Sequence, residues 1–173
     1  MRSQVSTRDT SLFLAALLFG CVSISKTAHA QDVGLNVWGM EFATLSDEGV
    51  EHMAFYPGMS LSLTYETAGW AVSPSLGAEW AADGEFWGLM AMVYADHPIN
   101  DHLGLDIIAA GMHDQVGNDW SNAEYFLGAG GGLSWFVNDR VALTPNVLAY
   151  YGMKTETWAL APGVNLWVSL EGE

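Results

Sequence analysis

The chain has 173 residues, half of them hydrophobic, with twenty Asp and Glu set against five Lys and Arg for a formal net charge of −15. So acidic a surface repels phosphate backbones, which excludes nucleic acid as a partner. The length suits one domain, and a single cysteine, Cys21, leaves no disulfide to staple it.

The first thirty residues read as a secretory signal peptide. Arg2 and Arg8 precede the apolar run 12–22, which is followed by the small-residue pattern Ala28-His29-Ala30. That run is too short to cross a bilayer as a helix, which takes roughly 20 apolar residues. Cleavage after Ala30 leaves residues 31–173 as the folded domain. A competing signal is Leu18-Phe19-Gly20-Cys21, which places Cys21 as the lipidated residue of a lipoprotein. In the mature domain Arg140 and Lys154 alone face nineteen carboxylates. Such a surface attracts cations, and it also serves as a solvation strategy in salt-adapted proteins.

Residues 33–44 read as a first strand whose facing stays open, because Val33, Leu35 and Val37 compete with Trp38, Met40 and Phe42. A charged loop is expected at 46–52. The next strand, 57–67, alternates Met59, Leu61, Leu63 and Tyr65 with Ser60, Ser62, Thr64 and Glu66, a period of two that marks a strand with unlike faces. Thr67-Ala68-Gly69 turns the chain into residues 70–81, where Trp70, Val72, Pro74, Leu76, Ala78 and Trp80 oppose Ser73, Ser75, Gly77 and Glu79. Residues 85–95 form a fourth strand, apolar on both faces, and 96–102 a turn. A fifth strand over 103–112 and a loop over 113–122 follow.

Residues 122–152 read as a long hairpin turning at Asn138-Asp139-Arg140. Tyr125, Leu127, Ala129, Gly131, Leu133 and Trp135 share one face with Val141, Leu143, Pro145, Val147, Ala149 and Tyr151. The other face carries small or polar groups: Glu124, Gly128, Gly130, Gly132, Ser134, Thr144 and Asn146. The glycine run 128–132 is read as barrel wall, since a phosphate loop requires a following helix. A last strand over 157–170 makes eight. Pro74, Pro145 and Pro162 each remove a ladder donor and are expected at bulges.

Two aromatic pairs locate a membrane. Trp70 and Trp80 stand ten residues apart, about 25 Å of height at about 3.3 Å per residue and a tilt of roughly 40°, which matches the apolar band of a membrane barrel. Tyr125 and Trp135 repeat the spacing. The even strand count puts both termini on one side, with short turns there and longer loops opposite.

These alternating strands, the Gly-rich segment and the turn Phe136-Val137-Asn138-Asp139-Arg140 resemble the small eight-stranded bacterial outer-membrane β-barrel proteins. The resemblance implies an all-β fold: a single antiparallel up-and-down β-barrel of eight strands after an N-terminal signal peptide. It further implies a monomer in the bacterial outer membrane, surrounded by lipid and inserted by the outer-membrane assembly machinery, with a structural or surface-interaction role and no enzymatic activity. The alternatives are a soluble or lipid-anchored periplasmic barrel binding a small apolar ligand and, third, a barrel-embedded lipid-modifying enzyme.

Four inward carboxylates are expected, Glu66, Glu79, Asp106 and Glu124, each close enough to a strand end to be hydrated. No cofactor is implied beyond weakly bound calcium. For that ion the candidates are Asp47, Glu48, Glu51 and His52 of the first outer loop with His113, Asp114 and Asp119 of the third, since oxygen-rich loops suit hard divalent cations. Trp70, Trp80, Tyr125 and Trp135 are the candidate membrane girdle.

Overall fold

The computed structural model describes residues 32–46, 49–81, 86–116 and 123–170. The signal peptide and Cys21 lie outside them. Eight antiparallel strands form one closed barrel: β1 (Asp32–Ser46), β2 (Gly49–Thr67), β3 (Trp70–Trp80), β4 (Phe86–Asn100), β5 (Leu103–Val116), β6 (Glu124–Asn138), β7 (Val141–Gly152) and β8 (Trp158–Ser169). Every strand pairs with its neighbours in sequence, and β8 closes on β1. Closure leaves no sheet edge to aggregate.

The stagger follows from the register. Paired residues lead from Thr44 through Ala159, Tyr150, Gly128, Ala110, Met92, Ser75 and Ser62 back to β1 at Gly34, ten residues from the start. Ten residues of shear over eight strands tilt the strands by about 40°.

Several expected boundaries move. The charged segment 46–52 is largely strand, with a register shift between Thr44 and Leu45. β4 runs on to Asn100 and β5 to Val116, through residues expected as turn and loop. The physical reason is shared: where a hairpin leaves the apolar band both faces are polar, so the strand continues without alternation to announce it. The structure also fixes the two open facings. Asn36, Trp38 and Met40 of β1 point inward and Val37 outward, while Met90, Met92 and Tyr94 of β4 point inward and Leu89 outward.

Pro74, Pro145 and Pro162 do not sit at bulges. Register shifts fall at Thr44/Leu45, Pro98/Asn100 and Phe136/Asn138, and none at Pro74, Pro145 or Pro162. Instead the ladder lapses beside each: paired residues skip from Ser62↔Ser75 to Tyr65↔Val72, from Gly132↔Asn146 to Trp135↔Leu143, and from Met40↔Gly163 to Ala43↔Leu160. Side chains bridge two of the lapses from inside. Thr64 and Ser73 hydroxyls lie 2.9 Å apart next to Pro74, and Ser134 and Thr144 hydroxyls 3.0 Å apart next to Pro145. Each replaces a missing backbone bond by a lateral one of comparable net worth, about 1 kcal/mol.

The glycines of β6 are wall, and their place is steric. A Cβ on Gly128 would enter the Tyr150 ring, and one on Gly130 or Gly132 would meet the carbonyl oxygens of Val147 or Pro145 on β7.

Candidate functional site in the barrel lumen

The exterior is apolar over most of its height. Leu61, Leu76, Ile107, Leu133 and Val147 are all about half exposed or more on the outer face. Among the four predicted girdle residues, Trp135 is 57% exposed and Trp80 40%. Tyr125 stacks on the outward ring of His113 at 4.7 Å, and Trp70 on His97 at 4.9 Å. Trp80 is paired across the ladder with Trp87, and Tyr151 with Trp158 at 5.2 Å between centroids. Trp70, His97 and Trp135 therefore ring the end carrying the short turns, and Trp80, Trp87, Tyr125, Tyr151 and Trp158 the opposite end. A closed barrel satisfies its backbone internally and can present such a belt to lipid.

The lumen has three levels. On β5 the inward series is Asp106, Ile108, Ala110, Met112 and Asp114, an apolar run held between two carboxyls. On β4 it is Asp96, Tyr94, Met92, Met90 and Gly88. Trp38, Met40, Leu148, Tyr150 and Ala161 join from the other strands and make the middle a packed apolar plug, with Phe42 and Phe126 against it. Phe42 packs on Tyr150 at 5.1 Å and edge-on to Tyr56 at 5.0 Å. Phe126, Leu148 and Tyr150 thus share the hairpin face expected to be small and polar.

From Trp38 of the plug one paired row climbs toward the long-loop end through Gly58, Glu79, Gly88 and Asp114 to Glu124. Glu79 and Asp114 flank Gly88, where a Cβ would crowd the Asp114 carboxylate and the Glu79 Cγ. Glu79 is 1% exposed, so the expected hydration of this carboxylate does not occur. Glu124 is different. Its carboxylate accepts from the backbone N–H groups of Lys154 at 2.7 Å and Thr155 at 3.1 Å, which ties down the 152–157 connection.

Below the plug the lumen is polar. Asn165 donates through Nδ2 to Asn36 Oδ1 at 3.2 Å, Asn36 donates to Ser62 Oγ at 3.1 Å, and Ser62 to the Gly34 carbonyl at 3.4 Å. Asp96 and Asp106 face each other across the β4–β5 ladder. Asp106 is buried, not hydrated as expected, whereas Glu66 at the strand end is exposed. Asp96 and Asp114 were not among the expected inward carboxylates, because both fall in the polar strand extensions assigned to turn and loop. A cavity of about 590 Å³ opens at this end, lined by Glu66, Tyr94, Asp96, Asp106, Phe136 and Trp167 among others.

Of the candidate calcium residues, His113 and Asp114 part company. Asp114 points into the lumen and His113, its neighbour on β5, points out against Tyr125, so the two side chains do not converge. His52 pairs with Thr44 on the β1–β2 ladder and Glu51 lies beside it on β2, while Asp47, Glu48 and Asp119 lie outside the described residues. Among the described residues no three His, Cys, Asp or Glu are grouped to hold a metal ion.

No family profile matches the chain, and no curated protein matches it. Solved structures do. The Neisserial surface protein A superposes with a TM-score of 0.54 at 14% identity, over 84% of this chain and 100% of that one. The N-terminal β-barrel domain of Pseudomonas aeruginosa OprF gives 0.51 at 15% identity, over 82% and 99%. The Yersinia pestis outer membrane protein Ail, in a phospholipid bilayer nanodisc, gives 0.50 at 11% identity, over 80% and 99%. At such identities the likeness concerns the fold, and the chain has the fold of the small eight-stranded bacterial outer-membrane β-barrels.

Proposed function

We infer that this chain works as a non-enzymatic barrel of the bacterial outer membrane, with a structural or surface-interaction role, and that it is not a general diffusion pore. The observation that carries this reading is the plug. An eight-stranded barrel is just wide enough for its own side chains, and here Met90, Met92, Ile108, Leu148 and Tyr150 fill its middle with almost no exposure. The half-exposed apolar belt supports insertion in lipid, since soluble monomers rarely leave contiguous apolar patches beyond a few hundred Å². In this orientation the short turns face the periplasm and the longer connections the outside. Divalent cations bridging the outer acidic loops to lipopolysaccharide phosphates remain part of the proposal through Asp47, Glu48, Glu51, His52, His113 and Asp119. Asp114, pointing inward, is left out of that set.

Membrane fractionation with heat-modifiable gel migration tests the location, and planar-bilayer recording tests the plug. The expected result is an outer-membrane protein without stable, large conductance. Recovery as a soluble periplasmic protein would overturn the first half, and steady porin-like steps the second.

A further inference from the structure

We propose that the cavity at the short-turn end is a binding site for a small organic cation, an aliphatic ammonium compound with N–H donors at both ends.

Three features carry the assignment. The first is a set of unanswered acceptors. Asp106 is 3% exposed and Asn165 4% exposed, both line the cavity, and Asp106 Oδ1 and Asn165 Oδ1 have no hydrogen-bond partner. Asp96 Oδ1, on the same wall, is also buried without one. Asn165 commits its amide nitrogen to Asn36, which leaves its oxygen as the group without a donor. Each unsatisfied buried acceptor costs about 1–3 kcal/mol, so three around one space describe a site shaped for donors.

The second feature is the sign of the charge. Asp96 and Asp106 are directly opposed across the β4–β5 ladder, an arrangement that destabilises two like charges. Glu66 stands at the mouth, and no Lys, Arg or His is among the lining residues. A ligand cation supplies what the protein omits.

The third is the rest of the wall. Tyr94, Phe136 and Trp167 line the same space, and aromatic faces attract desolvated ammonium groups. A volume of about 590 Å³ lies within the range of small-molecule sites and far exceeds a metal ion's needs. Asp96 and Asp106 sit on β4 and β5 whereas Asn165 sits on β8, the strand half-way round the barrel from β4. Acceptors on facing walls suit a linear compound with a donor at each end better than a single compact ion.

The apolar plug closes the inner end of this cavity, so it is a dead-end pocket entered between the strand termini and the short turns. Gly104 helps to shape it, since a Cβ there would collide with the Asp96 carboxylate and press on the Phe136 ring.

The test is calorimetric titration of the full, detergent-folded protein with 1,4-diaminobutane, with 1,4-butanediol as the neutral analogue and calcium chloride at matched ionic strength. Saturable 1:1 binding of the diamine is expected, with none of the diol. Asp106→Asn and Asp96→Asn should each weaken it about tenfold or more, the loss of one charge-assisted hydrogen bond. Both substitutions relieve a like-charge pair and should fold, which heat-modifiable migration checks. The assignment is overturned by absence of saturable diamine binding up to about 10 mM, a range covering weak affinities. It is equally overturned by unchanged affinity in both variants, or by calcium displacing the diamine at lower concentration, which would make this an inorganic-cation site.

Discussion

Replacement of Leu76 by arginine separates a lipid-embedded barrel from a soluble one. Leu76 is 54% exposed on the outer face of β3, paired with the equally outward Leu61 on β2. It stands six residues from Trp70 and four from Trp80. At about 3.3 Å per residue and a tilt of about 40°, it lies roughly 15 Å from one aromatic ring and 10 Å from the other. That is near the middle of an apolar band about 25 Å tall. An arginine there costs about 2–4 kcal/mol in a bilayer, falling to about 0–1 kcal/mol near the interface. Val137, also outward but beside the turn at Asn138, supplies the interfacial control. Reversible denaturant unfolding in phospholipid vesicles should show Leu76→Arg shifting the folding equilibrium by about 30-fold to several hundred-fold, with Val137→Arg within about fivefold. On a water-facing surface both would fall within about 0.5 kcal/mol of the parent. Equal, small effects at the two positions would refute the lipid-facing assignment of β3.

Two further predictions test the wall. Gly130→Ala places a methyl group against the Val147 carbonyl, a backbone atom that cannot rotate away, and should cost about 1–3 kcal/mol or abolish folding; denaturant unfolding that matches the parent would show that β6 and β7 do not approach as described. Ser134→Ala leaves the buried Thr144 hydroxyl without the partner it has beside Pro145 and should lower stability by about 1–3 kcal/mol, whereas the double change with Thr144→Val should recover part of that loss.

How much was legible in the sequence varies along the chain. Residues 57–67 and 70–81 alternate because one face meets lipid and the other a lumen of Ser and Thr, and that contrast in solvent is written directly as a period of two. β4 gave no such contrast, since methionines and Tyr94 plug the lumen opposite Leu89 and Val93, making both faces apolar. Its register came only from pairing with β3 and β5, just as the facing of β1 came from pairing with β2 and β8.

The candidate sites divide in the same way. The ten-residue spacing of Trp70 and Trp80 was legible because both stand on one strand, whose two ends they mark. Strand count, the turns at 67–69 and 138–140 and the acidic balance likewise followed from local pattern and composition. Tertiary structure decided the rest. Glu79 and Asp114, or Asp96 and Asp106, meet only through the register of neighbouring strands, and a one-residue change of that register would turn each side chain to the other face. Closure of β8 on β1 brought Asn165 to Asn36 and left its oxygen without a donor. No local pattern encodes such juxtapositions, because strand register and the closing of β8 on β1 decide them.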